Sequence, residues 1–240
     1  HRQIVISSRH MNEFYVIDHS TSIEEAASHS GGNYNEGGDF LYRWGNLNSY
    51  TDLNSQPLNA PHGVNWIPLE FPGGGNFILF NNNHTSGNSA VLEIQPPMDQ
   101  DGYYQLNESG YWGPSTFNWI YQPSGLYSNS QSGAFRVANG NTVVTSSNQQ
   151  SVFEINQNGE VQWTYVGELG TARAIKYPKD FLEDNQTIGD LNSDSQVNIL
   201  DVALIVELIL SNSYSPSADI NSDSSNDIID IVLLVDLILL

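Results

Sequence analysis

Two stretches near the C-terminus repeat one spacing of oxygen side chains, and nothing else in the sequence restricts the fold as tightly. The first comprises Asp190, Asn192, Asp194, Gln196, Asn198 and Asp201. The second, 29 residues later, comprises Asp219, Asn221, Asp223, Ser225, Asp227 and Asp230. Counted from the first Asp of each, oxygen side chains stand at positions 1, 3, 5, 9 and 12, and position 7 offers a backbone carbonyl. A hard cation takes about six to eight oxygens, and a tight turn brings alternate residues inward. The pattern predicts two bound calcium ions with these twelve residues as ligands. An apolar run follows each loop, Val202–Leu210 and Ile231–Leu240, and predicts a helix.

Charge sets the same region apart. The chain has 240 residues, with 7 Lys and Arg against 27 Asp and Glu, for a formal charge of -20. Every basic residue lies between Arg2 and Lys179, whereas residues 181–240 hold eleven acidic side chains and no Lys or Arg. So acidic a surface argues against nucleic acid as a partner, because phosphates need a basic face. The absence of cysteine excludes thiol chemistry, thiolate metal sites and disulfides. No apolar run reaches the length of a membrane span. The first residue is His1, which suggests that something precedes it. These features fit a secreted, periplasmic or cell-surface protein.

The paired loops resemble those of dockerins, which look like half EF-hands without the entering helix. Asp at position 12 agrees with that resemblance. Position 6 departs from it, with Ser195 and Ser224 where glycine is usual, and predicts strain in the turn. The resemblance implies a cohesin partner, met through positions 10 and 11 and the helix beyond. Here those positions are apolar: Ile199, Leu200, Ile228 and Ile229. Helices apolar nearly all round imply a further buried face. That face could meet a cohesin, the rest of this protein or a cell-surface anchor, and the sequence leaves the three open.

Residues 1–180 lack a convincing amphipathic helix and consist of short β-rich runs between Gly, Asn, Ser and Pro clusters. One set is Ile4–Ser8, Glu13–Asp18 and Phe40–Trp44. The next is Asn65–Ile67, Phe77–Phe80, Val91–Ile94 and Phe117–Tyr121. The third is Phe135–Val137, Thr142–Thr145, Ser151–Ile155 and Val161–Tyr165. Equivalent strands recur at roughly 65–75 residues, and four antiparallel strands per repeat describe a β-propeller blade. The expected fold is mainly β: a partial propeller, N-terminally truncated, followed by a small α-helical calcium-binding domain. The expected boundaries are 1–180 for the propeller, 181–187 for a linker and 188–240 for the small domain. Ala172–Tyr177 is expected as a strand completing a blade begun upstream. Trp44, Trp119 and Trp163, at matching outer-strand positions, are expected in the core.

In such a blade the start of the inner strand and the end of the second strand share one face. That reasoning gathers His62, Arg9, His10, Asn82 and His84 at one channel mouth. Arg is a planar fork for sulfate, phosphate or carboxylate, and His can serve as nucleophile or acid/base. The segments Ser7-Ser8-Arg9-His10, Phe14–Asp18, Pro61–Asn65 and Asn76–Asn82 resemble motifs of the bacterial arylsulfate sulfotransferases. Ser132–Arg136, Asn139–Thr142 and Gly159–Trp163 continue the likeness in order. The resemblance implies transfer of a sulfuryl group from a phenolic sulfate ester to a phenol, with no nucleotide sulfate donor. It implies that His62 is transiently sulfated and that Arg9 holds the sulfuryl oxygens, with His10 as a further catalytic residue and Asn65, Asn82 and His84 at the substrate. That family also uses a histidine upstream of the Ser-Ser-Arg strand, so this chain by itself is expected to be inactive. Two readings compete with this one. The same Arg and His could bind a sulfated or phenolic ligand without turnover, tethered by the dockerin, or calcium and the tail could direct assembly of a surface protein.

Overall fold

The computed structural model describes residues 3–177 and 188–239; the expected linker 181–187 lies outside the described residues. The chain divides into two compact units, His1–Lys176 and Tyr177–Leu240.

The first unit holds three antiparallel sheets whose strands follow in sequence order, the up-and-down layout of propeller blades. The first sheet has three strands: β1 (Gln3–Ser8), β2 (Glu13–Asp18) and β3 (Phe40–Trp44). A single-turn helix, α1 (Ile23–Ala26), lies in the long β2–β3 connection. The second sheet has β4 (Pro61–Trp66), β5 (Phe77–Thr85), β6 (Asn88–Ile94) and β7 (Trp119–Tyr121). The third has β8 (Gly133–Arg136), β9 (Thr142–Ser146), β10 (Ser151–Ile155) and β11 (Val161–Val166).

Strand periodicity explains how the sheets pack. Alternate residues of a strand face opposite ways. On β5, Phe77 and Leu79 join Phe14, Val16, Tyr42 and Trp44 of the first sheet. Ile78 and Phe80 face the other way and join Ala134, Val144, Phe153 and Ile155 of the third. β6 divides likewise, with Ala90, Leu92 and Ile94 on one side and Val91 on the other. The second sheet is therefore sandwiched between two cores, which is why its central strands read as continuous apolar runs instead of alternating ones. Aromatic rings fill the first interface: Phe14 and Phe77 lie 4.8 Å apart, and Tyr42 stacks on Phe77 at 5.6 Å. Tyr42 Oη donates to Gly113 O at 2.6 Å and Trp44 Nε1 to Pro114 O at 2.7 Å, so the polar atoms of these two fully buried rings are satisfied.

Two expectations are corrected. Ala172–Tyr177 is not a strand. Its bonds go to isolated groups, with Ala172 O accepting from Ser132 N and Ala174 N donating to Thr145 Oγ1, and neither builds a ladder. Trp163 is not core either, being 38% exposed on β11, every residue of which is exposed. Its indole N–H donates to Glu154 Oε2 at 2.7 Å and the Lys176 ammonium lies 5.9 Å from its ring, so polar contacts hold it.

The second unit carries helices α2 (Ile199–Leu210) and α3 (Ile228–Leu239), each starting inside its loop's twelve-residue spacing. Asn198 caps α2 through Leu200 N, and Asp201 returns a bond to Asn198 N, forming a capping box. Asp227 and Asp230 repeat this at α3. Ile205 of α2 and Leu234 of α3 share a core with Ala218 of the turn before the second loop, all three fully buried. Gly189 N donates to Ser217 O at 2.8 Å and joins the entrances of the two loops.

Candidate functional site

The loop after β1 and the entry to β4 meet at one end of the first two sheets. Arg9 and His10 lie exposed on the β1–β2 turn. From that turn, Asn12 Oδ1 accepts Ala60 N at 2.8 Å, two residues before His62. His62 pairs with Phe80 across β4–β5, beside a register shift that runs from His62 to Asn65. A bulge of this kind re-aims a side chain at a strand end. Gly63 follows with φ +65°, and a Cβ there would stand 3.0 Å from Ser132 O, so only glycine lets β4 approach the segment before β8 this closely.

His62 is half-buried, and both of its hydrogen bonds run through Nδ1: 2.6 Å to Asn82 Oδ1 and 3.2 Å to Ala60 O. Nε2 has no hydrogen-bonding partner among the described residues. Asn82 is fully buried, and its Nδ2 donates to Ser128 O at 2.7 Å and Gln131 O at 3.2 Å. The next residue along that segment, Asn129, accepts Arg9 Nη2 at 3.1 Å. The loop from Ser128 to Ser132 therefore links the turn bearing Arg9 to the support of His62. Sequence reasoning missed this loop, and its run of Ser, Asn and Gln ahead of β8 was the available signal.

The remaining expected residues are placed as follows. Asn65 Nδ2 donates to Gly63 O and Ala134 O, both at 2.9 Å, bridging the second and third sheets. His84 Nδ1 lies 3.1 Å from Asn81 Nδ2, and its ring meets Phe117 edge-on at 5.8 Å. Burial lowers the pKa of His84, favouring its neutral form.

In the second unit the loop carboxylates take up backbone N–H groups. Asp190 accepts Asp194 N at 3.2 Å and Ser195 N at 2.8 Å, and Asp219 accepts Asp223 N at 3.0 Å and Ser224 N at 2.8 Å. Asp201 accepts Leu191 N, Asn192 N and Asn198 N; Asp230 accepts Ile220 N, Asn221 N and Asp227 N. Asn192 and Asn221 each accept the N–H two residues on. Among the described residues, no three His, Cys, Asp or Glu side chains converge into a metal-holding group. The donors are nonetheless all hard oxygens on a tight turn, with no lysine or arginine in residues 181–240 to neutralise them, and that chemistry fits calcium. Asp190, Asp194 and Asp201 in one loop, and Asp219, Asp223 and Asp230 in the other, would hold such an ion, which would supply the positive charge these carboxylates lack.

Residues 188–239 match the family model of the dockerin type I domain. The paired loops, their capping boxes and the small apolar core all lie within this dockerin domain. No curated protein matches the chain. Among solved structures, a catalytically inactive variant of virginiamycin B lyase from Staphylococcus aureus, with quinupristin, aligns at 12% identity and a TM-score of 0.30, covering 69% of this chain and 52% of that one. Selenomethionine-substituted virginiamycin B lyase from the same organism aligns at 12% identity and a TM-score of 0.28, covering 68% and 52%. The chain thus spans about half the length of those structures. Among the described residues, no helix is long and apolar enough to cross a membrane.

Proposed function

We propose that the β unit is part of a propeller that transfers a sulfuryl group from a phenolic sulfate ester to a phenol through His62, and that the dockerin domain tethers it outside the cell to a cohesin. On this reading the dockerin domain holds two calcium ions and the transfer uses no nucleotide donor. Positions 10 and 11 of the loops supply apolar side chains for a partner: Ile199 is 70% exposed and Ile228 67%.

The observation that carries the enzymatic part is the placement of His62, with Nδ1 committed to two oxygens and Nε2 uncommitted, at the end of the unit where the Arg9 turn docks. The ordered resemblance of its motifs to those of the arylsulfate sulfotransferases, read from the sequence, supports it. In the first half-reaction Nε2 attacks sulfur, the Nε2–S bond forms, and the S–O bond breaks with its electron pair leaving on the phenolate, which takes a proton from solvent. In the second, the acceptor phenol loses its proton to solvent and its oxygen attacks sulfur, breaking Nε2–S and restoring the imidazole. Positioning and charge do most of the work in such transfers. Arg9 keeps guanidinium N–H groups beyond its one bond to Asn129, and these suit the sulfuryl oxygens. Asn65 and Asn82 spend their amide N–H groups on backbone carbonyls, so the reading gives substrate contact to Arg9, His10 and His84.

The test is turnover of 4-nitrophenyl sulfate with a second phenol by the protein in its full-length form, beside His62→Ala. Nitrophenol release should rise with acceptor concentration and fall by about 10³-fold or more in the variant, with a sulfuryl adduct on the His62 peptide in the absence of acceptor. A folded, calcium-loaded protein that releases no nitrophenol across several acceptors would remove the enzymatic reading. Ligand-dependent stabilisation without turnover would establish binding alone.

A further inference from the structure

Two neighbouring asparagines in the middle of β5 each hold a different histidine, and the directions of their hydrogen bonds are fixed by groups with only one possible role. Backbone carbonyls can only accept, so the two that face Asn82 Nδ2, Ser128 O and Gln131 O, identify that atom as the NH2 group. The amide is also held by its own backbone, since Ser89 Oγ donates to Asn82 O at 2.6 Å and accepts Ser128 N at 2.9 Å. Asn82 Oδ1 must therefore face His62. Nδ1 of His62 then meets two acceptors, Oδ1 at 2.6 Å and Ala60 O at 3.2 Å, and has to carry a hydrogen. In the neutral ring that leaves the lone pair on Nε2.

Asn81 presents the opposite group to its histidine. Its Oδ1 accepts Asn59 N at 2.8 Å, and its Nδ2 faces Pro57 O at 3.2 Å and His84 Nδ1 at 3.1 Å. Here the histidine nitrogen accepts, so neutral His84 carries its hydrogen on Nε2.

We propose that Asn82 is a positioning residue that locks His62 as the Nδ1–H tautomer and presents the Nε2 lone pair for attack, while Asn81 holds His84 in the opposite tautomer as an N–H donor. The assignment replaces substrate contact as the role of Asn82. It rests on His62 being the nucleophile: Nε2 of His62 carries an electron pair, whereas Nε2 of His84 carries a hydrogen. The choice of an amide over a carboxylate is itself informative. An amide oxygen fixes the tautomer without adding a negative charge beside a group that must meet an anionic sulfate ester. Free imidazole side chains in water favour Nε2–H, so His62 is held against its intrinsic preference.

The test is long-range ¹H–¹⁵N correlation spectroscopy of the histidine rings in the calcium-loaded 240-residue chain, at a pH where the rings are neutral. His62→Gln and His84→Gln assign the signals. His62 should show the Nδ1–H pattern and His84 the Nε2–H pattern in the same spectrum. In Asn82→Ala the His62 signals should move to a mixture dominated by Nε2–H, and Asn82→Asp, which restores an acceptor at Nδ1, should recover Nδ1–H. An Nε2–H pattern for His62 in the unsubstituted protein overturns the proposal, and this outcome does not depend on either Asn82 variant folding. A His62 pattern unchanged in a folded Asn82→Ala overturns the role of Asn82. Because the spectrum reports the tautomer whether or not an aryl sulfate is turned over, a failed activity assay counts against the sulfuryl reading and leaves this measurement to decide its own question.

Discussion

Ser195 and Ser224 sit at position 6 of the two loops with φ of +67° and +68°, in the left-handed region that side chains with a Cβ enter at a cost. The strain expected from the sequence is thus present twice, at equivalent places. Glycine there removes the Cβ clash but enlarges the entropy of the unfolded chain, and at φ near +67° the clash is the larger effect. Ser195→Gly and Ser224→Gly should each tighten calcium binding by about 1 kcal/mol, about fivefold in Kd. Ser195→Thr should weaken it, because branching at Cβ worsens the same clash. Calcium titration calorimetry checks both signs. These serines were legible as exceptions to a known spacing. The tautomers of His62 and His84 were not, because they depend on carbonyls of residues 57, 128 and 131 that no local pattern connects to them.

At the scale of elements, charged side chains stitch strands together where apolar packing ends. Arg136 at the end of β8 pairs with Glu93 of β6 at 2.6 Å, both buried, and so joins the second sheet to the third. Arg43 of β3 pairs with Glu13 of β2 and lies 4.1 Å from the Tyr50 ring. Glu154 of β10 has a strongly shifted carboxyl. Burial pushes its pKa up, but hydrogen bonds from Lys176, Asn141 and Trp163, with the Lys176 charge, outweigh burial and hold it at about 2. A folded pKa below the unfolded value of 4.5 means the unfolded chain binds more protons, so stability rises with pH. The contribution is complete above about pH 4.5 and is lost as pH falls towards about 2. Glu154→Gln should therefore lower the urea midpoint of the β unit at about pH 6 more than at about pH 3. A loss of the same size at both would show that the carboxylate is not the source. The strands themselves were legible from their apolar runs and turn residues, and the two-sided burial of Phe77–Phe80 agrees with an unalternating run. Ala172–Tyr177 has the composition of a strand, but a strand exists only where a neighbour offers a ladder, and composition carries no information about neighbours.

For the whole molecule, the two units differ in what holds them. The β unit has two extended cores and all five tryptophans, from Trp44 to Trp163. Among the described residues the dockerin domain has three fully buried apolar side chains at its centre, and its carboxylates lie in two loops with no Lys or Arg in residues 181–240. A core that small leaves stability dependent on the cation, as metal-bound domains generally do. Chelation with EDTA should collapse the helical circular dichroism of α2 and α3 while leaving tryptophan emission unchanged, and added calcium should restore it. A simultaneous change in tryptophan emission would show that the β unit also depends on calcium. By itself the sequence determined the calcium-loop spacing, the repeat of β-rich sets and the division of charge between the two regions, because each is written in residues close together along the chain. Only the tertiary structure decided which faces of β5 and β6 meet which sheet, that Trp163 stays exposed, and that Asn82 supports His62. Those outcomes depend on packing and hydrogen-bond direction between segments tens of residues apart, where the partner of a side chain is set by the fold.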